Sequence, residues 1–463
     1  MIDLIVRAGT IITVDPERRV LIDGAIAINE GSIVAIGHGS DIEATYEATR
    51  TIDAPDAVAL PGLVDAHSHA GHSLVRTMGD DLDGWMEACR LLYLHGATPG
   101  FWYAEGRLSA AERLLCGTTT SLSMLGGAGD TVRSDNPDHG REHLRAYDEA
   151  GLRTVLVVGP GAPPFPKATT DHTTPGTPRP VESSFADQLD TVVALVDHAA
   201  GLDRGHVATT FPTLTQDELG APGLIEAAEE LSALAARHDL LIVQDGHRAD
   251  TVRASEALGL LGPRTLLSHA IDLDTVEIGL IAASAATVAH NPSAIYSQFG
   301  RCPVPELLDA GVTVGLGSDA TAPDRSADMF RHMFQLTRYH RAMRRDPGLF
   351  PPHSTIEMAT LGSARALGLN DHVGSLEVGK AADIVLVDTA QPHLTPFTHP
   401  EHQLVYFATG ADVVTVIVDG EVLLDNRDPV GIDIDEILND ARDEQRAALA
   451  RVGLDHLPND RGH

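Results

Sequence analysis

Eight short apolar runs in the middle of the chain constrain its fold most strongly. They are ALPGLVDA (59–66), TTTSLSML (118–125), RTVLVVG (153–159), HVATTFP (206–212), DLLIVQD (239–245), TLLSHA (265–270), ATVAHNP (286–292) and VTVGLGSD (312–319). Longer segments with helical periodicity separate them. Apolar strands that alternate with helices predict a parallel sheet covered by helices. Eight such units predict an α/β fold, a (β/α)8 (TIM) barrel, whose active site lies at the carboxyl ends of the strands.

Histidine and aspartate side chains stand at the ends of three of these runs. His67 and His69 follow the first run in alternating positions, which place both imidazoles on one face of a strand. His269 lies at the end of the sixth run and Asp319 ends the eighth. Imidazoles and carboxylates ligate first-row metals, and a hydrolytic site keeps one position open for water. The sequence therefore predicts a metal site that activates water.

The two ends of the chain show a different pattern, in which apolar and polar residues alternate as in an antiparallel sheet. We predict a small β-sandwich built from both chain ends, residues 1–56 plus 380–430. The barrel is expected to occupy residues 57–379, and residues 431–463 to form a C-terminal helix and tail. Segment 160–181 is rich in Pro, Thr and Gly, which predicts a loop at the mouth of the active site.

Charge and composition narrow the class of partner. The net charge of −33 argues against nucleic acid or an anionic membrane as a partner. We find no signal-peptide pattern and no apolar run long enough to cross a bilayer. The three cysteines, Cys89, Cys116 and Cys302, are scattered, which argues against a disulfide framework. We therefore expect a cytoplasmic protein that acts on a small molecule and binds neither nucleic acid nor membrane.

Several motifs resemble those of the amidohydrolase superfamily, most closely the branch of triazine hydrolases, S-adenosylhomocysteine deaminases and phenylurea or thiocarbamate hydrolases. The motifs are PGLVDAHSH, RTMGDDLDGWM, CGTTT, HNPSA, VGLGSDA and the C-terminal ATLGSARALGL. The resemblance implies that His67, His69 and Asp319 ligate metal and that Asp319 also transfers protons. It implies that His269 contacts the attacking water or the attacked atom. It also implies a homo-oligomer.

One divalent metal ion is expected, zinc in the first place, with iron, cobalt or manganese as alternatives. The fifth run departs from the family pattern, in which a ligating histidine is followed three residues later by a glutamate. This chain reads LLIVQDGHRADT. An ungapped alignment places Asp245 at the ligand position and Arg248 at the glutamate position. A two-residue shift places His247 at the ligand position, and we favour His247 because imidazole suits these metals better than a lone carboxylate.

The missing glutamate bears on the substrate class. Deamination of a nucleobase or triazine needs an acid that protonates the ring nitrogen, whereas hydrolysis of an amide, urea or carbamate does not need that acid. We therefore predict a metal-dependent hydrolase of a non-peptide carbon–nitrogen bond of the amide, urea or carbamate type. The alternative is an aminohydrolase of a nucleobase or triazine. His72, three residues after His69, is the candidate substrate-binding residue.

Overall fold

The structure, a computed structural model, describes residues 1–455 apart from 77, 79–81, 128, 130, 173, 175–176, 295–299 and 323–324. Its centre is a barrel of parallel strands, and each predicted run supplies one strand. In barrel order these are β5 (Leu63–Asp65, continued by β6, His69–Ala70), β7 (Thr118–Leu125), β8 (Arg153–Val158), β11 (Gly205–Thr210), β12 (Ile242–Gln244), β13 (Thr265–Ser268), β14 (Thr287–His290) and β15 (Val314–Leu316). The predicted barrel is confirmed.

The first and last strands of the barrel meet through backbone hydrogen bonds. Ala66 donates its N–H to the carbonyl of Leu316 at 2.8 Å, and Asp319 donates to the carbonyl of His67 at 2.9 Å. The two strands pair in parallel, like the other neighbouring strands of the barrel. The segments that carry His67 and Asp319 are therefore direct neighbours across the seam where the barrel closes.

The helices, apart from the first, which packs on the second sheet, cover the outside of the barrel or connect its strands. They are α1 (Gly39–Thr45), α2 (Leu82–Leu91), α3 (Pro99–Leu115), α4 (Pro137–Glu149), α5 (Phe185–Ala199), α6 (Leu224–His238), α7 (Thr251–Ala257), α8 (Thr275–Ser284), α9 (Val304–Asp309), α10 (Met329–Arg344), α11 (Pro352–Glu357), α12 (Ser363–Ala366), α13 (Pro400–Tyr406) and α14 (Ile434–Arg451). A capping box fixes the amino end of α5: the side chains of Ser184 and Asp187 each accept a hydrogen bond from the other residue's backbone N–H. In the described part of the chain no helix is long and apolar enough for a membrane span.

A second sheet combines the two ends of the chain, as predicted. Its strands are β1 (Ile2–Ile12), β2 (Val20–Asn29), β3 (Ser32–His38), β4 (Ala48–Pro61), β16 (Ile384–Asp388), β17 (Val413–Val418), β18 (Glu421–Asp425) and β19 (Asp428–Pro429). They pair in the order β19-β18-β17-β16-β4-β1-β2-β3, antiparallel except for the parallel pair β1 and β4. Strand β4 runs across the expected boundary between residues 56 and 57, and the division into domains stays a prediction. The predicted tail helix is α14, and residues 456–463 lie outside the described part.

Segment 160–181 differs from the predicted loop. It contains an antiparallel hairpin of β9 (Lys167–Asp171) and β10 (Arg179–Ser183). The sequence does not indicate this hairpin, because its strands are short and lie among Pro and Gly residues, which are typical of loops. Asp135 fixes it in place by accepting a hydrogen bond from Thr169 Oγ1 at 2.9 Å.

Candidate metal centre

Five side chains converge at the carboxyl ends of the barrel strands. They are His67 and His69 at β5 and β6, Asp245 after β12, His269 after β13 and Asp319 after β15. The imidazoles of His67, His69 and His269 are 0%, 6% and 2% exposed, so the group is closed off from bulk water. The structure thus brings together His67, His69, His269 and Asp319 with Asp245, the strand-five alternative that the ungapped alignment offered.

The distances between the polar atoms fit ligands that share one ion. Asp245 Oδ1 lies 3.1 Å from His67 Nε2 and 3.2 Å from His269 Nε2, and Asp245 Oδ2 lies 3.5 Å from His69 Nε2. Asp319 Oδ1 lies 3.2 Å from His69 Nε2 and 3.9 Å from His67 Nε2. Ligand atoms about 2 Å from a tetrahedral metal are roughly 3.4 Å apart. The donor set therefore fits a divalent cation with imidazole and carboxylate ligands.

Two features of the imidazoles support this interpretation. Neither ring nitrogen of the buried His67 makes a hydrogen bond with the described residues, which leaves its Nε2 lone pair available for a metal. His69 donates from Nδ1 to the carbonyl of Gly126 at 2.9 Å, so its Nε2 lone pair also faces the group. A metal-ligating histidine usually bonds through its other nitrogen in this way.

The carboxylates remain ionised despite their burial. Burial would raise the pKa of Asp319, but the Arg325 guanidinium and the His269 imidazole hold that pKa well below its usual range. Burial would also raise the pKa of Asp245, and the surrounding imidazoles, His67 first, hold it well below its usual range. Two anionic ligands therefore face the centre of the group.

The backbone is strained where two of these residues lie. His269 has φ +66° and Asp319 has φ +62°, in the left-handed region that side chains other than glycine rarely adopt. Such positions cost of order 1–3 kcal/mol each and cluster at functional sites. The surrounding hydrogen bonds must hold these residues in place, and the strain is consistent with selection for the site's geometry.

His247, favoured from the sequence as the strand-five ligand, does not join the group. Its Nδ1 lies 2.8 Å from Thr251 Oγ1, and burial lowers its pKa to about 3. The reason is the backbone after β12: Asp245 shares the barrel-facing side with Val243, whereas Gly246 at φ +84° turns the chain before His247. The geometry favours the ungapped alignment, in which Asp245 stands at the ligand position, over the two-residue shift, and the identity of the strand-five ligand stays a prediction.

His72 lies beside the group. Its ring centroid is 4.9 Å from those of His69 and Trp85, and the Tyr93 hydroxyl lies 3.1 Å from its Nδ1. Burial, with the neighbouring His69, holds the pKa of His72 well below its usual range. His72 thus packs against a candidate ligand as a neutral imidazole, and its contact with substrate stays a prediction.

Sequence reasoning missed Arg325 and gave no role to Asn291. Arg325 Nη1 donates to Asp319 Oδ2 at 2.6 Å, and both side chains are buried. Asn291 Nδ2 lies 3.3 Å from His269 Nδ1. The HNPSA motif pointed to Asn291, but the position of Arg325 in the loop after β15 carries no recognisable signal.

Comparison with known proteins identifies the family of this chain. The sequence matches the amidohydrolase family over residues 58–423. A 5-methylthioadenosine/S-adenosylhomocysteine deaminase from Nitratidesulfovibrio vulgaris is 32% identical over 457 residues, 97% of this chain and 98% of that protein. A 5′-deoxyadenosine deaminase from Methanosarcina acetivorans is 30% identical, with 98% of this chain and 100% of that protein covered.

Solved structures show the same fold. A zinc-bound adenosine deaminase from Xanthomonas campestris has a TM-score of 0.84 at 26% identity, covering 97% of this chain and 99% of its own. A zinc-complexed atrazine chlorohydrolase from Arthrobacter aurescens has a TM-score of 0.78 at 24% identity, with 96% and 100% covered, and supports the fold alone. The chain therefore belongs to the amidohydrolase family, which confirms the resemblance and the predicted metal-dependent hydrolysis of carbon–nitrogen bonds.

Proposed function

We propose that His67, His69, Asp245 and Asp319 hold one divalent cation, with zinc as the favoured ion. Three observations support this ligand set: His67, His69 and Asp245 offer ligand atoms within 4.8 Å of one another, Asp319 Oδ1 lies 3.2 Å from His69 Nε2, and neither nitrogen of His67 has a hydrogen-bond partner among the described residues. When bound, such a metal supplies a Lewis acid that activates water and polarises the scissile bond. Zinc is favoured because it accepts mixed imidazole and carboxylate ligands without a strict geometric demand.

His269 is proposed to contact the substrate or the attacking water. In the tautomer in which His269 Nδ1 accepts from Asn291 Nδ2 at 3.3 Å, the ring proton of His269 resides on Nε2. That atom faces the centre of the site, 3.2 Å from Asp245 Oδ1. His269 is thus oriented as a hydrogen-bond donor to developing negative charge, a role distinct from that of the two other imidazoles.

Asp319 is proposed to accept the proton of the attacking water and to pass it to the leaving amine. Its Oδ1 faces the imidazoles, and its Oδ2 accepts the hydrogen bond from Arg325. Oδ1 is therefore the atom placed to exchange protons at the reacting centre. Proton transfer by a positioned carboxylate is worth roughly 10²–10⁴-fold in rate.

The proposed substrate is a small molecule with an amide, urea or carbamate group. One observation carries this choice: the position three residues after Asp245, where the family pattern has its glutamate, holds the exposed cation Arg248. A guanidinium does not release a proton to a ring nitrogen, because its pKa exceeds 12. Hydrolysis at a carbonyl carbon requires only polarisation, water and protonation of the amine.

Deamination of an adenine nucleoside is the second candidate. It is favoured by the two relatives that are named as deaminases and match nearly the whole chain at 30% identity or more. On this alternative, another group must protonate the ring nitrogen.

A substrate panel separates the two candidates. Zinc-loaded protein is incubated with aryl amides, phenylureas and carbamates, and in parallel with 5′-deoxyadenosine and S-adenosylhomocysteine, and both amine and ammonia are measured. We expect amine release from the first set and no ammonia from the second. Efficient ammonia release from the nucleosides would overturn the proposal in favour of deamination. Arg248→Glu, with Arg248→Gln as its control, tests whether restoring the acid creates deaminase activity.

We also propose that the protein acts in the cytoplasm as a homo-oligomer and does not bind nucleic acid. The net charge of −33 supports the absence of nucleic-acid binding, because the negatively charged protein is repelled by the negatively charged phosphates. Light scattering coupled to size-exclusion chromatography tests the oligomeric state, and a mass equal to one chain would contradict it.

A further inference from the structure

The Asp65 carboxylate lies fully buried at the seam where the barrel closes. It accepts four hydrogen bonds. Two come from Ser318, from its N–H to Oδ1 at 2.8 Å and from its hydroxyl to Oδ2 at 2.6 Å. The others come from Arg113 Nη2 at 3.2 Å and from the N–H of His67 at 3.4 Å. One side chain thus joins the first strand, the last strand and helix α3.

The two hydrogen-bond partners of Asp65 in the first and last strand segments are a proposed metal ligand and the neighbour of another. Ser318 immediately precedes Asp319, and the N–H that Asp65 accepts on its own strand is that of His67. The seam is also tight: a Cβ at Gly317 would lie 2.8 Å from the carbonyl oxygen of His67. Movement of the Asp65 carboxylate would therefore change the separation of the backbones that carry His67 and Asp319.

Arg113, on helix α3, supports the Asp65 carboxylate. It is 1% exposed, and its Nη1 donates to Ser109 Oγ at 2.5 Å. Ser109 Oγ in turn lies 2.9 Å from the Tyr147 hydroxyl on α4. The guanidinium is thus fixed by two helices before it reaches Asp65, which makes it a rigid support.

Stability alone does not account for this pair. Replacing a buried ion pair by apolar residues is often neutral or stabilising, because desolvation of both charges offsets their attraction. What the pair supplies in addition is a fixed geometry for two backbone segments. We propose that Asp65, supported by Arg113, is a positioning residue that sets the distance between His67 and Asp319 and thereby the metal affinity. This inference rests on the proposed metal site.

Zinc affinity of the full-length protein, measured by competition with a chelator, tests the inference. The variants are Asp65→Asn, Arg113→Met and the milder Ser318→Ala. We expect zinc binding to weaken roughly 10–100-fold, the usual effect of losing a residue that orients a metal ligand. Arg113→Lys, which keeps the charge, should recover part of the loss. The absorption spectrum of the cobalt-substituted protein should shift in the same variants.

Asp383→Asn is the matched control. Asp383 is also buried, accepts from Arg153 Nη1 at 2.7 Å and from the N–H of Asp419 at 3.0 Å, and lies at the opposite end of the barrel. It should lose stability and keep wild-type zinc affinity. If Asp65→Asn and Ser318→Ala also keep wild-type affinity and spectrum, Asp65 is only structural and the inference fails. If Asp65→Asn does not fold, Ser318→Ala decides. Absence of zinc binding in the unsubstituted protein would instead overturn the proposed metal site.

Discussion

Arg325 donates a hydrogen bond to Asp319 over 2.6 Å, and both side chains are buried beside the imidazoles of the candidate metal centre. The bond occupies Oδ2, while Oδ1 faces His69 Nε2 at 3.2 Å. Arg325 thus determines which oxygen of Asp319 is presented to the centre. It also offsets part of the charge of two neighbouring carboxylates.

Loss of Arg325 should therefore impair turnover. A hydrogen bond to a charged group contributes about 1.5–3 kcal/mol, so Arg325→Met should lower kcat roughly 10–100-fold. Arg325→Lys keeps the charge and should be less impaired. Steady-state kinetics at saturating zinc measure this, and wild-type turnover in Arg325→Met would contradict the orienting role.

Substitution of Asp319 tests the proton transfer itself. Asp319→Asn keeps the shape of the side chain and an oxygen ligand but removes the group that accepts and returns a proton. Turnover should fall roughly 10²–10⁴-fold, with zinc partly retained. Single-turnover kinetics with a measured zinc content provide the check. A variant close to wild type would place the proton transfer on another residue.

Removal of either strand-one imidazole should reduce zinc content and activity together. His67→Ala and His69→Ala each delete one of few proposed ligands, and both side chains lie at the carboxyl end of the first barrel strand. The fold should persist, as judged by circular dichroism. Full zinc occupancy in the doubly substituted protein would exclude both residues as ligands.

Acid sensitivity should depend on His139. Burial, with Arg133 nearby, lowers the pKa of His139 to about 3, whereas an unfolded histidine has a pKa of about 6.5. As the pH falls below 6.5, the His139 imidazole therefore takes up a proton in the unfolded state and not in the folded state. The protein loses stability as a result. Between pH 7 and pH 5 this amounts to about 2 kcal/mol.

His139→Gln removes that proton uptake. In urea unfolding of the metal-free protein, the variant should lose about 2 kcal/mol less than the wild type over the same pH interval. The quantity to compare is the change in the free energy of unfolding between pH 7 and pH 5, since this change cancels any pH-independent effect of the substitution. Identical pH dependence in both proteins would show that His139 is not the titrating group.

The barrel was predictable because its strands are buried on both sides. Such strands form continuous apolar runs, and each of the eight runs became a strand, with His67, His69, His269 and Asp319 at their carboxyl ends. The hairpin within 160–181 was not predictable, because its strands are short and polar. Asp135 and neighbouring tertiary contacts stabilise it, and no local periodicity records those contacts.

The strand-five ligand and Arg325 mark the limit of sequence reasoning at the site. Choosing between Asp245 and His247 by ligand chemistry favoured the imidazole, but the turn at Gly246 decides which side chain enters the barrel. Glycine favours such a turn, but the residues alone do not show which neighbouring side chain the turn directs into the barrel. Arg325 reaches Asp319 through a loop, whose path no spacing rule describes.

Metal content of two variants tests the central claim most directly. Asp245→Ala and His247→Ala remove neighbouring side chains of the same segment, so packing damage should be comparable. Elemental analysis of proteins purified with zinc should find about one zinc per chain in the wild type and in His247→Ala, and little in Asp245→Ala. Retention of zinc by Asp245→Ala together with its loss from His247→Ala would contradict the proposed ligand set.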